Sequence, residues 1–408
     1  MTKSGVKTFV FKYMANSGNN KRISRWITIG NYPEWSIRRA RQEYDKLYEQ
    51  VHEYGKDPVA EKQEEKKKKS ETPTVSEFID TYLEYAQLKG KASLHEEKRV
   101  FFLDLIPLVG KKNLCDVTPE DIDEMQTRII KRAQSTSKAT RKGRVAVKNS
   151  LAYTRLLFNY AKKKHLIETN PINEVDSLGK STPRSRILSF EEIWIFWNRI
   201  EMVGVPPVTA KALKFLLATM QRSNEVRNMR YASLKLGESV WQMERHETKN
   251  RSMHRVPLNR HALELIRDVE AFTGASKYVF GATRQFDAPK KRNSGLIPLG
   301  NTALTQAIRK RRNVLRIPDF RPHDLRRTGA TWITAVGLPK LYARLMLNHS
   351  DGERDVTGEV YVQYSYDFEK KRAAKVWEFI LDQIITSESP KDVPTLEELR
   401  ARFLKAGL

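Results

Sequence analysis

The stretch RPHDLRRTGATW, residues 321–332, is where the reading of this chain turns. His323 and Arg326 lie three positions apart, so on a helix they share one face. Pro322 directly before them suits a first helical position, where unpaired amides also favour an anion. A guanidinium grips two oxygens of a phosphate, and an imidazole moves protons near neutral pH. His-x-x-Arg is common by chance, so the pair gains weight only from its surroundings.

Upstream, Arg222 sits in QRSNEVRNMR with Glu225 one helical turn later, a spacing that lets the carboxylate hold the arginine. Lys249 lies in the turn of an expected hairpin, HETKNRSMHRVPL. Downstream, His349 lies in LMLNHS, and GEVYVQYSYDFEKKRAAKVW carries Tyr361, Tyr364 and Tyr366. Each feature alone is ordinary: a surface pair, a solvated lysine, a capping histidine, packing tyrosines. Their order is not ordinary. Arginines neutralise a phosphodiester, an amine or imidazole moves protons, and a phenol attacks phosphorus and holds the broken strand. That inventory reads as DNA strand exchange with neither metal nor cofactor, and carboxylates are not grouped as in a two-metal nuclease.

Composition agrees. In 408 residues, 74 Lys and Arg oppose 49 acidic residues, giving a formal net charge of +25. Such self-repulsion calls for a polyanion, and nucleic acid is the obvious one. Apolar residues at 39% supply real cores, and the length predicts two or three domains. No stretch approaches the roughly 20 apolar residues that cross a bilayer, and the first residues lack the apolar core of a secretion signal. Cys115 is the single cysteine, expected as a buried apolar filler; no intrachain disulfide exists, and a cytoplasmic location is expected.

Along the chain, alternation over 8–13 (Phe9, Phe11, Tyr13) and a returning segment 22–30 predict two strands around a turn at 18–20. Ile37, Ala40, Tyr44, Leu47 and Val51 then recur at helical spacing. This is a small α+β domain, 1–58, with Arg22, Arg25, Arg38, Arg39 and Arg41 as candidate DNA contacts. A polar linker follows over 59–73. An all-α domain is expected over 74–175, opened by a capping box at Thr74 and Glu77, with helices near 94–106, 118–131, 138–163 and 166–171. Leu151, Tyr153, Leu156, Leu157 and Tyr160 supply its packing side, and Lys138, Arg141, Lys142, Arg144 and Lys148 a phosphate-facing side. After a linker at 176–186, a mainly helical α+β domain spans 187–385, with strands near 240–244 and 253–258. The tail, 386–408, holds an amphipathic helix suited to docking on a neighbouring subunit or on its own domain.

At this point the sequence resembles the tyrosine recombinase family, the phage and mobile-element integrases. Their order of Arg, Lys, His-x-x-Arg, His or Trp, and Tyr falls on Arg222, Lys249, His323, Arg326, His349 and Tyr361, with Glu225 as the companion acid. RPHDLRRT and TKN…HRVPL are typical strings, and the phrase YxYxxEKxRA matches Tyr364, Tyr366, Glu369, Lys370, Arg372 and Ala373. WITIGNYPEWSIRRAR resembles the amino-terminal arm-binding domain of integrases, residues 74–172 their core-binding domain, and 187–385 their catalytic domain. The resemblance implies a homotetramer on two double-stranded DNA sites of core and arm type, aided by a DNA-bending protein and a directionality factor. It implies integration and excision of a phage or other mobile element, without a membrane partner. A type IB topoisomerase-like relaxing enzyme and an inactive DNA-binding protein are the alternatives.

Three departures stand out. Ala218-Thr219 replaces the Thr-Gly that precedes the first arginine loop, predicting a relaxed turn. Asn348 replaces the glycine of Leu-Gly-His. Twelve positions separate His349 from Tyr361, which leaves Tyr364 as a second candidate nucleophile.

Overall fold

The computed structural model describes residues 6–17, 21–63, 72–91, 93–136, 140–179, 184–248, 250, 252–274, 276–282, 297–349 and 364–407. The chain divides into two compact units, residues 1–183 and 184–408.

In the first unit, β1 (Thr8–Ser17) pairs antiparallel with β2 (Lys21–Asn31). Strand alternation sends Phe11, Tyr13, Ala15 and Ile27 to one face, where they meet Leu47 and Val51 of α1 (Ile37–His52). The other face stays open: Trp26 is 67% exposed, with Val10 and Met14 beside it in the register. Gly30 is required, because a Cβ there would overlap the Trp35 ring.

Arg25 stands opposite Tyr13 on the packed face and pairs with Asp57 at 3.1 Å, while Tyr13 donates its hydroxyl to the same carboxylate. The expected linker from residue 59 does not begin there. Residues 58–63 are helical, and Val59 packs under the sheet.

The helical part opens as expected, with Thr74 and Glu77 capping α2 (Val75–Leu88) reciprocally. Helix α3 (Leu94–Val100) passes through a π turn (Phe101–Leu105) into α4 (Ile106–Val109), and α5 (Pro119–Thr136) and α6 (Thr140–Lys163) follow. Phe78, Ile79, Tyr82, Phe101, Leu105, Ile122, Leu157 and Phe158 form the core. Leu156 corrects the expected packing side: it is exposed, and Phe158 is buried in its place. Cys115 is half-buried at the edge of this core rather than within it.

Both buried acids are paired, as burial demands. Glu97 accepts from Tyr82 and Ser93, and Asp104 from Ser150 and Arg132. The helix expected at 166–171 is replaced by one tight turn, Pro171–Glu174, capped by Asn170. The start of the expected linker at 176–186 is fastened to α5, with Gln126 accepting from the Leu178 amide at 2.9 Å and donating to the Asp176 carbonyl at 3.0 Å.

The second unit is built around α8 (Pro207–Thr219), whose Leu213, Phe215, Leu216 and Leu217 are fully buried. Around it lie α7 (Phe190–Arg199), α9 (Ser223–Arg227), α10 (Arg260–Thr273), α11 (Ala303–Leu315), α12 (Pro322–Val336), α13 (Lys340–Met346) and α14 (Asp367–Ile385). A three-stranded antiparallel sheet runs β3 (Leu234–Lys235), β4 (Val240–Met243), β5 (His254–Pro257).

Trp377 of α14 is fully buried and donates its indole N–H to the Leu217 carbonyl at 2.7 Å. Burying so large a ring stabilises by at least about 1.5–3 kcal/mol, and it clamps α14 to the end of α8, two residues before the Thr219–Met220 turn. The last helix, α15 (Leu396–Ala406), docks on its own domain: Leu399 and Phe403 are buried, and Arg400 donates to the Ala335 carbonyl at 2.8 Å. Among the described residues no helix is long and apolar enough to cross a membrane.

Candidate active site

Arg222 opens α9. Its amide and guanidinium both donate to Glu225, at 3.0 and 2.9 Å. Glu225 is buried, so the i,i+3 spacing works as a splint inside the domain rather than as a surface pair.

The turn before Arg222 is not relaxed. Met220 closes α8 in the left-handed region (φ 57, ψ 24), a conformation that favours glycine. Its side chain is fully buried, which holds the strained turn in place. The left-handed position is Met220, one residue beyond Thr219 where the glycine was expected, and packing rather than a glycine holds it.

Pro322 occupies the first position of α12 as expected, and buried Asp324 caps the helix start through the Arg321 amide. Asp324 also gathers Arg184 and Arg327, so the far end of the expected linker is fastened too. One turn on, Arg326 is almost wholly buried. It donates to the Met220 carbonyl at 2.7 Å and to the Leu347 carbonyl, and it lies 3.4 Å from His349 Nε2. Burial, then the neighbouring Arg222 charge, pulls its guanidinium down to about 10, which leaves it charged at neutral pH.

His323 and His349 remain open to solvent, and both imidazoles are held below their ordinary value. Desolvation acts first at each. The Arg327 and Arg326 charges come next at His323, and Arg326 and Arg222 at His349. A ring that accepts from Arg326 through Nε2 must be neutral, consistent with that direction.

His323, Arg326, Arg327, Leu347 and His349 line one cleft of about 500 Å³, which continues over Ala330, Thr331 and Thr334 of α12 to Lys340. Asn348, where a glycine was expected, adopts φ 47, and its carbonyl accepts from Arg222 at 3.3 Å. Asparagine tolerates this conformation better than most residues. The two arginines thus meet at consecutive carbonyls, 347 and 348.

Lys249, Tyr361 and Lys138 lie outside the described residues, as do the side chains of Arg141 and Lys142. Of the other candidate DNA contacts, Arg22, Arg38, Arg39 and Arg41 are exposed in the small domain, with Arg39 stacked 4.3 Å over Trp35. Arg144 and Lys148 are exposed on α6. Arg25 is occupied by Asp57 and belongs to the domain's own packing.

Sequence reading missed Gln221, His254 and Lys370. Gln221 is fully buried and donates to the Met346 carbonyl at 3.0 Å. Buried His254 also donates to Met346. Desolvation, then Lys370, Arg326 and Arg222, lowers it to about 3. Lys370 is buried at the start of α14 and donates to the Ser365 carbonyl at 2.8 Å. The HRVPL and YxYxxEKxRA strings contained His254 and Lys370, but a string does not reveal burial.

His323, Arg326 and His349 line one open cleft, and Arg222 binds the carbonyl next to the one that Arg326 uses, so cationic and imidazole groups suited to an anion are gathered at one end of the domain. Comparison with known proteins is consistent with that arrangement. The Phage integrase family pattern matches residues 202–366, and the Arm DNA-binding domain pattern matches residues 1–65. The chain is 26% identical over 179 residues to the prophage integrase IntZ of Escherichia coli K12, covering 43% of this chain and 42% of that relative. It is 23% identical over 300 residues to the integrase of Shigella phage Sf6, covering 72% of each. A lambda integrase dimer bound to a COC′ core site shares the fold with a TM-score of 0.56 at 15% identity, over 89% of this chain and 99% of that one. A lambda integrase tetramer bound to a Holliday junction gives 0.54 at 15% identity, over 85% and 93%. Residues 202–366 thus carry a phage integrase family domain, with an arm DNA-binding domain over residues 1–65 of the same chain.

Proposed function

We propose that this protein is a site-specific recombinase that cuts and rejoins double-stranded DNA through a 3′-phosphotyrosine ester, integrating and excising a mobile element. The observation that carries the reading is the meeting of Arg222 and Arg326 at the carbonyls of Asn348 and Leu347, with His349 beside them. A phosphodiester entering the cleft would replace those neutral acceptors with anionic oxygens, a stronger partner for both guanidiniums.

In this mechanism the Tyr361 phenolic oxygen attacks phosphorus and its proton passes to neutral His323. The P–O bond to the 5′ oxygen breaks, and Lys249 protonates that leaving group. The two arginines and His349 hold the nonbridging oxygens as charge builds. Rejoining runs in reverse, with the 5′ hydroxyl of another strand attacking the phosphotyrosine. One ester is exchanged for another, so the chemistry requires no cofactor. Tyr364 is the weaker nucleophile: desolvation and the Glu369 carboxylate raise its phenol, disfavouring phenolate.

Residues 1–58 would read arm-type sites with the open face of the sheet, where Lys12 and Arg22 flank Trp26. The adjacent helical region, 74–175, would hold core sites with Arg144 and Lys148, and 187–385 would carry the chemistry. The active form would be a homotetramer on two sites, in the cytoplasm of a bacterial host, working with a DNA-bending protein and a directionality factor.

The test uses a supercoiled plasmid carrying two copies of the element's end sites. Recombinant circles are expected. Relaxation of plasmids lacking any site, without recombinants, would favour the topoisomerase reading. Tight binding without strand cleavage would favour an architectural protein.

A further inference from the structure

Three consecutive carbonyls at the end of α13 accept hydrogen bonds from two other parts of the second unit, the turn at 221–222 and α12. Met346 accepts from Gln221, Leu347 from Arg326, and Asn348 from Arg222. The Asn348 carbonyl has a second donor, the side-chain amide of Asn250, and the Asn348 side-chain oxygen faces the Ser252 hydroxyl at 3.3 Å. Asn250 and Ser252 belong to the hairpin between β4 and β5, and Asn250 directly follows Lys249. The hairpin is itself braced, since Thr248 and Ser252 exchange two hydrogen bonds at 2.8 and 3.2 Å.

We infer that Asn250, clasped with Ser252 onto Asn348, is a positioning residue that sets the hairpin tip against the Arg222-held phosphate. The inference rests on the strand-exchange reading above and deepens it. A hairpin tip bearing a lysine is ordinarily solvated, and its rotamer-rich side chain gains nothing from staying at one place. Here the residue after the lysine shares an acceptor with the phosphate-binding arginine. The residue that follows Lys249 in sequence is thereby held on the same carbonyl that fixes Arg222. A glycine at position 348 would keep the carbonyl and the left-handed turn but lose the grip on Ser252. Asparagine at that position therefore adds a second point of attachment.

The experiment compares Asn250→Ala, Lys249→Ala and wild type in single-turnover cleavage of two suicide substrates. One has the natural 5′ oxygen leaving group. The other has a bridging 5′ sulfur, which leaves without needing a proton. DNA affinity and thermal unfolding are measured alongside, because a residue that merely supported folding would change those. Asn250→Ala is expected to slow cleavage of the oxygen substrate by about 10–100-fold, with unchanged affinity. On the sulfur substrate it should recover to within about twofold of wild type, in step with Lys249→Ala. Ser252→Ala and Asn348→Gly should give smaller losses that do not add to one another.

The inference is overturned if Asn250→Ala cleaves the oxygen substrate at the wild-type rate, or departs from Lys249→Ala on either substrate. If Lys249→Ala stays slow with sulfur, the general-acid assignment of Lys249 fails separately. The clasp is then still judged by whether the two variants track each other.

Discussion

Arg326 donates to the main-chain oxygen of Met220 at 2.7 Å, so a left-handed residue at the end of one helix is the docking point for the buried guanidinium of another. This contact joins α8 to α12 and aligns Arg326 with Arg222, two residues beyond Met220. The site is therefore as accurate as the packing under Met220.

Replacing Arg326 with Ala should lower single-turnover cleavage by roughly 10²–10³-fold with a small change in DNA affinity, because its contacts strengthen as charge develops. Arg326→Lys should be nearly as slow, since an ammonium cannot span two carbonyls and an oxyanion as a fork does. Glu225→Gln should cost about 1–3 kcal/mol of stability and also slow cleavage, because Arg222 loses its buried splint. Rapid-quench kinetics with parallel binding titrations check all three.

Gly329 is the packing counterpart of Met220. A Cβ at 329 would lie 2.5 Å from Met220 Cγ and 3.2 Å from the Trp377 ring. Gly329→Ala should therefore destabilise the protein by about 1–3 kcal/mol. It should also slow cleavage although residue 329 touches no substrate, because moving Met220 moves the carbonyl that Arg326 uses. Denaturant unfolding and cleavage rates should change together.

The depressed imidazoles fix the sign of two pH effects. His254, His323 and His349 bind protons less readily folded than unfolded. Stability from these groups is intact above the ordinary imidazole value of 6.5. It falls as pH drops below that value, down to about 3 for His254. Denaturation midpoints should decline from about pH 7 to pH 5, and His254→Asn should flatten the slope. Because the base must be neutral, the acid limb of the second-order cleavage rate should lie below pH 6.5; a limb above it would contradict the geometry around His323.

In the small domain, position on the sheet separates stability from DNA contact. Arg25→Ala removes the Asp57 pair and should cost about 1 kcal/mol. Lys12→Ala and Trp26→Ala, on the open face, should leave melting unchanged while weakening binding to arm-type DNA. The Lys12 variant should also reduce the salt slope by about one.

The legible parts of this molecule were the local ones. Pro322, His323 and Arg326 could be read because one helix start holds all three, and the Thr74 capping box because it closes within four residues. What escaped depends on partners far away in sequence. Nothing near Arg25 announces Asp57, and nothing near Leu156 says that Phe158 faces the core instead. Met220 reads as an ordinary apolar residue until its backbone is seen to turn left-handed. Asn348 was noticed as a departure from glycine, but its two donors, 126 and 98 positions away, could not be inferred from the substitution.

The most direct test of the central claim traps the covalent intermediate on a nicked half-site, digests the complex and locates the nucleotide by mass spectrometry. The account predicts a phosphodiester on Tyr361, with the Tyr361→Phe protein binding the same DNA but forming no adduct. A nucleotide found on Tyr364 or any other side chain, or an adduct that persists in Tyr361→Phe, would contradict it.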